Sequence, residues 1–291
     1  MSISAKDVMA LRQKTGAGMM DCKKALTETD GNIEAAIKWL REKGFSSAAK
    51  RAGRTANEGR VAVAADGDSS RAAIVELNSE TDFVAMNEEF VRLAGDLAGE
   101  ALQKSGQANP DGLIPVDAFE LDPVTQLAGK IGENIRLARA GALSGTFVDS
   151  YIHPGDQLGV LLLLEGDGAA SDAGKELAHD LSMQIAAASP RFVTRDQVPA
   201  ETSEKEKEIY VTQMRNEGKP EQMLEKIAIG KLNKFFEEIC LIEQVYVKEQ
   251  KQKVRDRIAD AVQAAGAPIE VKAFLRFKVG DTTSESEEQG E

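Results

Sequence analysis

The chain is poor in the residues that most often carry chemistry. Its 291 residues include two histidines, two cysteines and one tryptophan. Cys22 and Cys240 cannot build a disulfide framework, and so scarce a use of cysteine predicts a reducing compartment. Neither belongs to a C-x-x-C pair, which leaves a structural zinc site unsupported. Only 5% of the residues are aromatic. The opening ten, MSISAKDVMA, lack a basic stretch followed by an apolar core, so they do not read as a secretory signal. The longest apolar run, residues 160–164, is far too short to cross a bilayer. These shortages predict a cytoplasmic protein with no membrane segment, no metal and no cofactor.

What is present suits a folded, helix-rich protein of two or three domains. Hydrophobic residues make up 42% and charged residues 29%, with alanine and leucine abundant. Net charge is −12, unevenly spread. Residues 1–60 hold twelve Lys or Arg against seven Asp or Glu, about +5, so the remainder carries about −17. An acidic body disfavours binding to a phosphate backbone. A protein partner fits better, with the basic front end facing an acidic surface.

The fold predicted is α+β, opening on three short helices. Ser4 and Asp7 have capping-box spacing, and Val8, Leu11 and Thr15 follow at helical intervals. Gly16, Ala17 and Gly18 break that helix. A second covers residues 19–29, with Cys22, Ala25 and Leu26 inward. After the turn Asp30-Gly31-Asn32, a third carries Ile33, Ala36, Ile37 and Leu40, and Gly44 ends it. Residues 44–59 then read as a basic linker containing Lys50, Arg51 and Arg54. A solvated tether fits better than a nucleic-acid arm, because interleaved aromatics are missing.

The body reads as one pattern used twice. Strands 60–65 and 72–78 form a hairpin, helices follow from Asp82 and over 123–132, and strand 135–143 closes the unit. Strands 146–153 and 159–165 form another hairpin, followed by helices 171–188 and 254–265 and strand 269–279. Two related antiparallel-sheet-plus-helix subdomains are expected, each with three strands. They span 55–143, and 144–190 with 240–280. Residues 191–239 insert an antiparallel helical hairpin, turning at Gly218-Lys219-Pro220. In it Tyr210, Val211 and Met214 face Leu224, Ile227 and Ile229. It is either a solvated protrusion or a contact arm or dimerisation element. Residues 281–291, with five acids and no base, read as a disordered acidic tail.

Catalytic constellations do not emerge. The stretch 161–181 mimics a phosphate-binding loop around Gly174 and Lys175. Ala169 stands where that loop needs glycine, and Glu176 where it needs Ser or Thr for Mg²⁺. His179 lies among Leu177, Leu181 and Ile185 and reads as structural. No nucleophile–base set can be assembled, so an enzyme is not predicted.

The stretch around residues 78–90 has two readings. Ser79 or Thr81 caps a helix over residues 82–103, placing Asp82 and Phe83 in its first turn. Phe83 lies seven residues before Phe90, which begins a core-like stripe with Leu93, Ala94, Leu97 and Ala101. Phe83 is then either the top of that stripe or a side chain offered to a partner from a rigid corner.

A resemblance bears on that choice. Thr81-Asp82-Phe83-Val84-Ala85, with Asn87 and Phe90, resembles a signature of bacterial elongation factor Ts, the nucleotide-exchange factor of elongation factor Tu. Thr15-Gly16-Ala17-Gly18-Met19-Met20-Asp21-Cys22-Lys23-Lys24-Ala25-Leu26 is similar to the family's N-terminal signature. Lys130-Ile131-Gly132-Glu133-Asn134-Ile135, Ala187-Ala188-Ser189-Pro190 and Arg276-Phe277-Lys278-Val279-Gly280 follow in family order. The resemblance implies that residues 1–54 are a ubiquitin-associated-like docking module and linker, gripping the partner through Arg12, Met19 and Met20. It implies elongation factor Tu, GDP-bound and nucleotide-free, as the partner, with Thr81, Asp82, Phe83 and Val84 dislodging Mg²⁺ from the GDP-bound form. It implies a further contact at His153. No direct nucleic-acid contact follows, and the hairpin offers a route to a homodimer. Gln184 and Ala138 depart from the family pattern, which has His and Arg there.

Overall fold

The computed structural model describes residues 3–15, 17–51 and 53–281. The N-terminal helices begin where the capping signals fall. Helix α1 (Ala5–Thr15) starts at a box in which Asp7 N–H donates to Ser4 Oγ (3.2 Å) and Ser4 N–H to Asp7 Oδ2 (3.3 Å). Helix α2 (Met19–Glu28) follows, and Asn32 Oδ1 caps α3 (Ile33–Arg51) by accepting from Ala35 N–H (3.0 Å). Val8, Leu11, Cys22, Ala25, Leu26 and Ala36 form their shared core. Gly16, the first of the predicted helix-breakers, lies outside the described residues. Gly44 does not end the third helix, which continues to Arg51. A mid-helix glycine costs only about 1 kcal/mol, and the Ala48-Ala49-Lys50 run beyond it favours helix. The predicted tether of 44–59 therefore loses residues 44–51 to the helix and residues 58–59 to the first strand.

Strand β1 (Glu58–Ala65) pairs antiparallel with β2 (Arg71–Ser79), from Glu58 opposite Ser79 to Ala65 opposite Ala72. Helices α4 (Asp82–Ala85) and α5 (Glu88–Gln103), a short strand β3 (Leu113–Ile114), α6 (Asp122–Ile131) and β4 (Arg136–Ser144) complete the first unit. Its sheet runs β1-β2-β4-β3, four strands where three were predicted. The extra strand comes from the Pro- and Gly-containing spacer. Gly112 turns it with φ +79°, and Leu113 and Ile114 then pair with Gly141 and Ala140.

The second unit has β5 (Phe147–Ile152), β6 (Leu158–Glu165) and α7 (Asp172–Ala188). Helices α8 (Ala200–Asn216) and α9 (Glu221–Ile239) follow, and α10 (Val254–Ala265) and β7 (Glu270–Lys278) close it. Its antiparallel sheet runs β5-β6-β7. Helices α8 and α9 pack on each other around Met214, Leu224 and Ala228. Ile229 does not face inward as expected but is exposed. The i, i+4 pair Leu224 and Ala228 defines the inner face, and Ile229 lies 100° off it. The acidic segment 282–291 lies outside the described residues.

The two sheets lie face to face, with helices on the outside, so both central strands are buried on both sides. On β2, Ala73, Val75 and Leu77 pack toward α5, while Ala72 and Ile74 meet the other sheet. On β6, Val160, Leu162 and Leu164 pack toward α7 and α10, while Leu161 and Leu163 point between the sheets. A Cβ at Gly159 would come within 2.6 Å of Val61 Cγ1, so this glycine permits the close approach. One polar group is accommodated here. The buried Glu76 carboxylate accepts from Arg139 Nε (2.7 Å) and Gly280 N–H (3.0 Å), and the Arg139 guanidinium lies 4.3 Å over the Phe277 ring. Charge pairing and hydrogen bonds make that burial tolerable.

Candidate functional site

The sharpest surface feature grows out of the end of β2. Thr81, extended at φ −127° and ψ 153°, caps α4, its Oγ1 accepting from Val84 N–H (3.4 Å). Ser79 Oγ donates instead to Thr81 O (2.9 Å), so Thr81 is the cap. Asp82 Oδ1 accepts from the Phe83 N–H (2.9 Å), and the helix stops after one turn. Asn87 then opens α5, with Oδ1 accepting from Glu89 N–H (2.9 Å).

The single helix predicted over 82–103 is thus two helices, and the break decides the fate of Phe83. Phe90 is fully buried with Leu93, Ala94, Leu97 and Ala101, as the stripe requires. Phe83 leaves that face and stands 81% exposed, beside Met86 at 69%. The reading of Phe83 as the top of the core stripe is overturned. Val84 goes the other way. It is buried with Ala85 in the core and anchors the turn from below. Asp82 is exposed and Thr81 half-buried.

The corner is also held from the side. Gly132 ends α6 in the left-handed region, φ +92°, and turns the chain toward β2. Glu133 then accepts from Thr81 N–H (3.1 Å) and from Thr81 Oγ1 (2.7 Å). Asn134 N–H donates to Glu80 Oε1 (2.7 Å), and Asn134 Nδ2 to Arg54 O (2.7 Å).

The remaining predicted residues fall in two places. His153 is exposed in the turn between β5 and β6, its Nδ1 2.9 Å from the Tyr151 hydroxyl. Arg60 links this turn to the Phe83 corner, since its guanidinium pairs with Asp156 and donates to Ala85 O (3.4 Å). Arg12, Met19 and Met20 are exposed on the N-terminal bundle, the methionines at 51% and 74%, and Met9 joins them at 59%. That bundle meets the body where α3 packs on α6 and Arg41 pairs with Asp122 (3.0 Å). A cleft of about 370 Å³ lies along the seam. Most of its cations are engaged: Lys43 pairs with Asp21 and Lys130 with Glu89. It is a polar seam in which Arg41, Lys43 and Lys130 are paired with carboxylates of the protein itself.

Elsewhere the polar groups are structural. Gln184, fully buried, donates to Gln244 Oε1 and Val245 O and accepts from Val247 N–H. The phosphate-loop mimic is a helix start, with Ser171 Oγ capping Gly174 N–H (3.1 Å). Burial raises the Asp149 carboxyl, and a hydrogen bond from Ser182 (2.6 Å) only partly opposes it. Asp180 is also pushed up by burial. Hydrogen bonds from Lys248, Tyr246 and Arg257 outweigh that and leave it below the ordinary range. Among the described residues no group of three or more His, Cys, Asp or Glu is placed to hold a metal ion, and no helix is long and apolar enough to cross a membrane.

Comparison with known proteins places the chain in a family. The family model described as Elongation factor TS matches residues 80–281, from the Phe83 corner to the end of β7. The elongation factor Ts of Clostridium botulinum (strain Alaska E43 / Type E3) is 45% identical over 98% of this chain and 96% of its own. The chain belongs to the elongation factor Ts family. Other family members, from Prosthecochloris aestuarii and Chlorobaculum parvum, are each 44% identical over 96% of this chain and 99% of theirs. Membership makes it a translation elongation factor.

Sequence reasoning left Met86, Arg60, Glu133 and Asn134 without roles. Asn87 followed by Glu88 and Glu89 is itself a helix-start signal, and it would have exposed both the break and Met86.

Proposed function

We propose that this chain promotes release of GDP from elongation factor Tu, so that GTP can enter during elongation. A G protein holds GDP through backbone and Mg²⁺ contacts to its phosphates. A factor that prefers the distorted or nucleotide-free partner must weaken GDP by the same factor that GDP weakens it. No bond is made or broken by the factor itself.

The observation that carries this reading is Phe83, 81% exposed on a braced one-turn helix. A lone exposed apolar residue needs no explanation. Here Met86 lies beside it, and the backbone beneath is fixed by core burial and four side-chain hydrogen bonds. Such a side chain can enter a partner with little ordering cost. Asp82 brings a carboxylate to the same place, toward the partner's Mg²⁺ site. Thr81 and Val84 support these two rather than reach out themselves. His153 holds a second surface, coupled to the first through Arg60. Arg12, Met19 and Met20 form the docking face of residues 1–54, which we read as ubiquitin-associated-like.

The two sheet-and-helix units are read as related subdomains, and the α8–α9 hairpin as an insertion in the second. The hairpin is a contact arm or self-association element, since Ile209, Met223 and Ile229 are exposed along it. Light scattering before and after its removal separates these roles. The cytoplasm, where elongation runs, is the expected location.

The deciding measurement is stopped-flow release of fluorescent GDP from elongation factor Tu. Release should accelerate strongly with this protein present, and fluorescent GDP should not bind the chain alone. Unchanged release would overturn the proposal. Saturable GDP binding by the chain itself would favour a nucleotide-binding enzyme instead.

A further inference from the structure

The geometry points to Glu133 as the positioning residue for Phe83: its carboxylate holds the Thr81 cap, and through it the one-turn helix that presents the ring. This rests on the exchange reading above and extends it to a residue outside the contact set named there.

Helix α4 has four residues, too few to persist alone, because a single turn fixes many dihedrals for few hydrogen bonds. Its support from below is Val84 and Ala85. Those contacts hold the turn against the core but do not fix the direction of its first residues. Thr81 does that, and Thr81 is itself oriented. Its hydroxyl donates to Glu133 Oε1 (2.7 Å), which turns an oxygen lone pair toward Val84 N–H (3.4 Å). Its backbone N–H donates to Glu133 Oε2 (3.1 Å). One carboxylate therefore fixes both the backbone and the side chain of the cap. Hydrogen bonds to an ionised acceptor are about twice as strong as neutral ones.

The bracing is reciprocal. While Glu133 accepts from Thr81, the neighbouring Asn134 N–H donates to Glu80 Oε1 (2.7 Å). Residues 80–81 and 133–134 thus exchange hydrogen bonds in both directions, and Gly132 turns the chain to allow it. Glu133 is half-buried, and both of its carboxylate oxygens accept from Thr81. That single engagement explains an acidic side chain on this turn, where it supports no helix of its own.

The test uses the full chain with Glu133→Ala, Glu133→Gln, Phe83→Ala and the Phe83→Ala/Glu133→Ala double variant. Amide hydrogen exchange at Val84, Ala85 and Met86 reports the turn directly. Glu133→Ala should speed it about tenfold or more, with the β2 and α5 amides unchanged. Fluorescent GDP release from elongation factor Tu should slow about tenfold at saturating factor, with the half-saturating concentration within about twofold. Glu133→Gln keeps one acceptor and should recover part of both losses. In the double variant, release should be no slower than with Phe83→Ala alone. Unchanged amide protection in Glu133→Ala would overturn the clamp, and multiplying losses in the double variant would show that Glu133 acts elsewhere. Wild-type release by Phe83→Ala would sink the exchange reading and this role together. In that case the amide data still show whether the clamp exists.

Discussion

Phe83 and Val84 are neighbours with opposite environments, and a pair of alanine substitutions separates their roles. Phe83 is 81% exposed, so Phe83→Ala should change stability by less than about 0.5 kcal/mol. Its loss from an interface removes an aromatic anchor of about 2 kcal/mol or more, so GDP release should slow at least roughly tenfold. Val84 is buried, and Val84→Ala should cost about 2 kcal/mol of folding stability while release per folded molecule falls less. Thermal melting and stopped-flow release on both variants check this, and a large stability loss for Phe83→Ala would return the ring to the core. The sequence could not decide the matter from periodicity alone. A seven-residue interval puts two side chains on one face only if the helix is continuous, and Asn87 interrupts it. The buried Glu76–Arg139 pair was equally hidden, because a glutamate in an apolar strand announces nothing about its partner.

Helix α7 shows how one element can hold carboxylate contacts of opposite sign. Asp180, on the helix, has its pKa lowered below the ordinary 3.8, while Asp149 on β5, bonded to Ser182 of the helix, is raised above it. The lowered group contributes stability above pH 3.8 that is lost as pH falls through its folded pKa. The raised group contributes stability below pH 3.8 that is lost as pH rises through its folded pKa. Asp180→Asn should therefore lower stability at neutral pH by about 2 kcal/mol, and Asp149→Asn should raise the melting temperature there. Both differences should shrink below pH 3.8, and shifts of the same sign at neutral pH would refute the assignment. The α8–α9 hairpin is the element most cleanly readable beforehand, through its charged periodicity and the Gly218-Lys219-Pro220 turn. Its base was not readable. Val198, Ile239 and Cys240 are buried there, with half-buried Phe192, Phe235 and Phe236 packed against them, and Arg195 pairs with Glu243 while lying 4.6 Å over the Phe236 ring. Replacing residues 203–232 by a short Gly/Ser link spares that base. A single cooperative melting transition within a few degrees of the parent is expected. Its loss in calorimetry would make the hairpin part of the core.

Across the whole molecule, the hairpin and the closing strand of each unit were legible, but the short β3 and the stacking of the two sheets were not. Alternating burial would have marked strands with one wet face. The runs Ala72-Ala73-Ile74-Val75 and Val160-Leu161-Leu162-Leu163-Leu164 instead carry the signal of burial on both faces, which periodicity arguments seldom use. The N-terminal bundle stands outside this stack. Its core of Val8, Leu11, Cys22, Ala25, Leu26 and Ala36 is separate from the three cores of the sheets and outer helices. Its exposed methionines face away from that core, and its main link to the body is α3 against α6. Deletion of the module should leave the body folded, but where the cut falls matters. Arg54 O accepts from Asn134 Nδ2 (2.7 Å), and Ala56 O from the buried Asn78 Nδ2 (3.1 Å). A cut after residue 54 would remove the first acceptor and strip a bond from the loop that braces the Phe83 corner. A cut after residue 50 keeps both. The shorter deletion should therefore melt within a few degrees of the full chain, yet need a far higher concentration to half-saturate GDP release. Its release rate at saturation should be largely kept, because the corner proposed to perturb the nucleotide site is intact. The longer deletion should lose part of the saturating rate as well. Titrating both truncations against elongation factor Tu separates docking from perturbation, and an unchanged half-saturating concentration for the shorter one would deny the module its docking role.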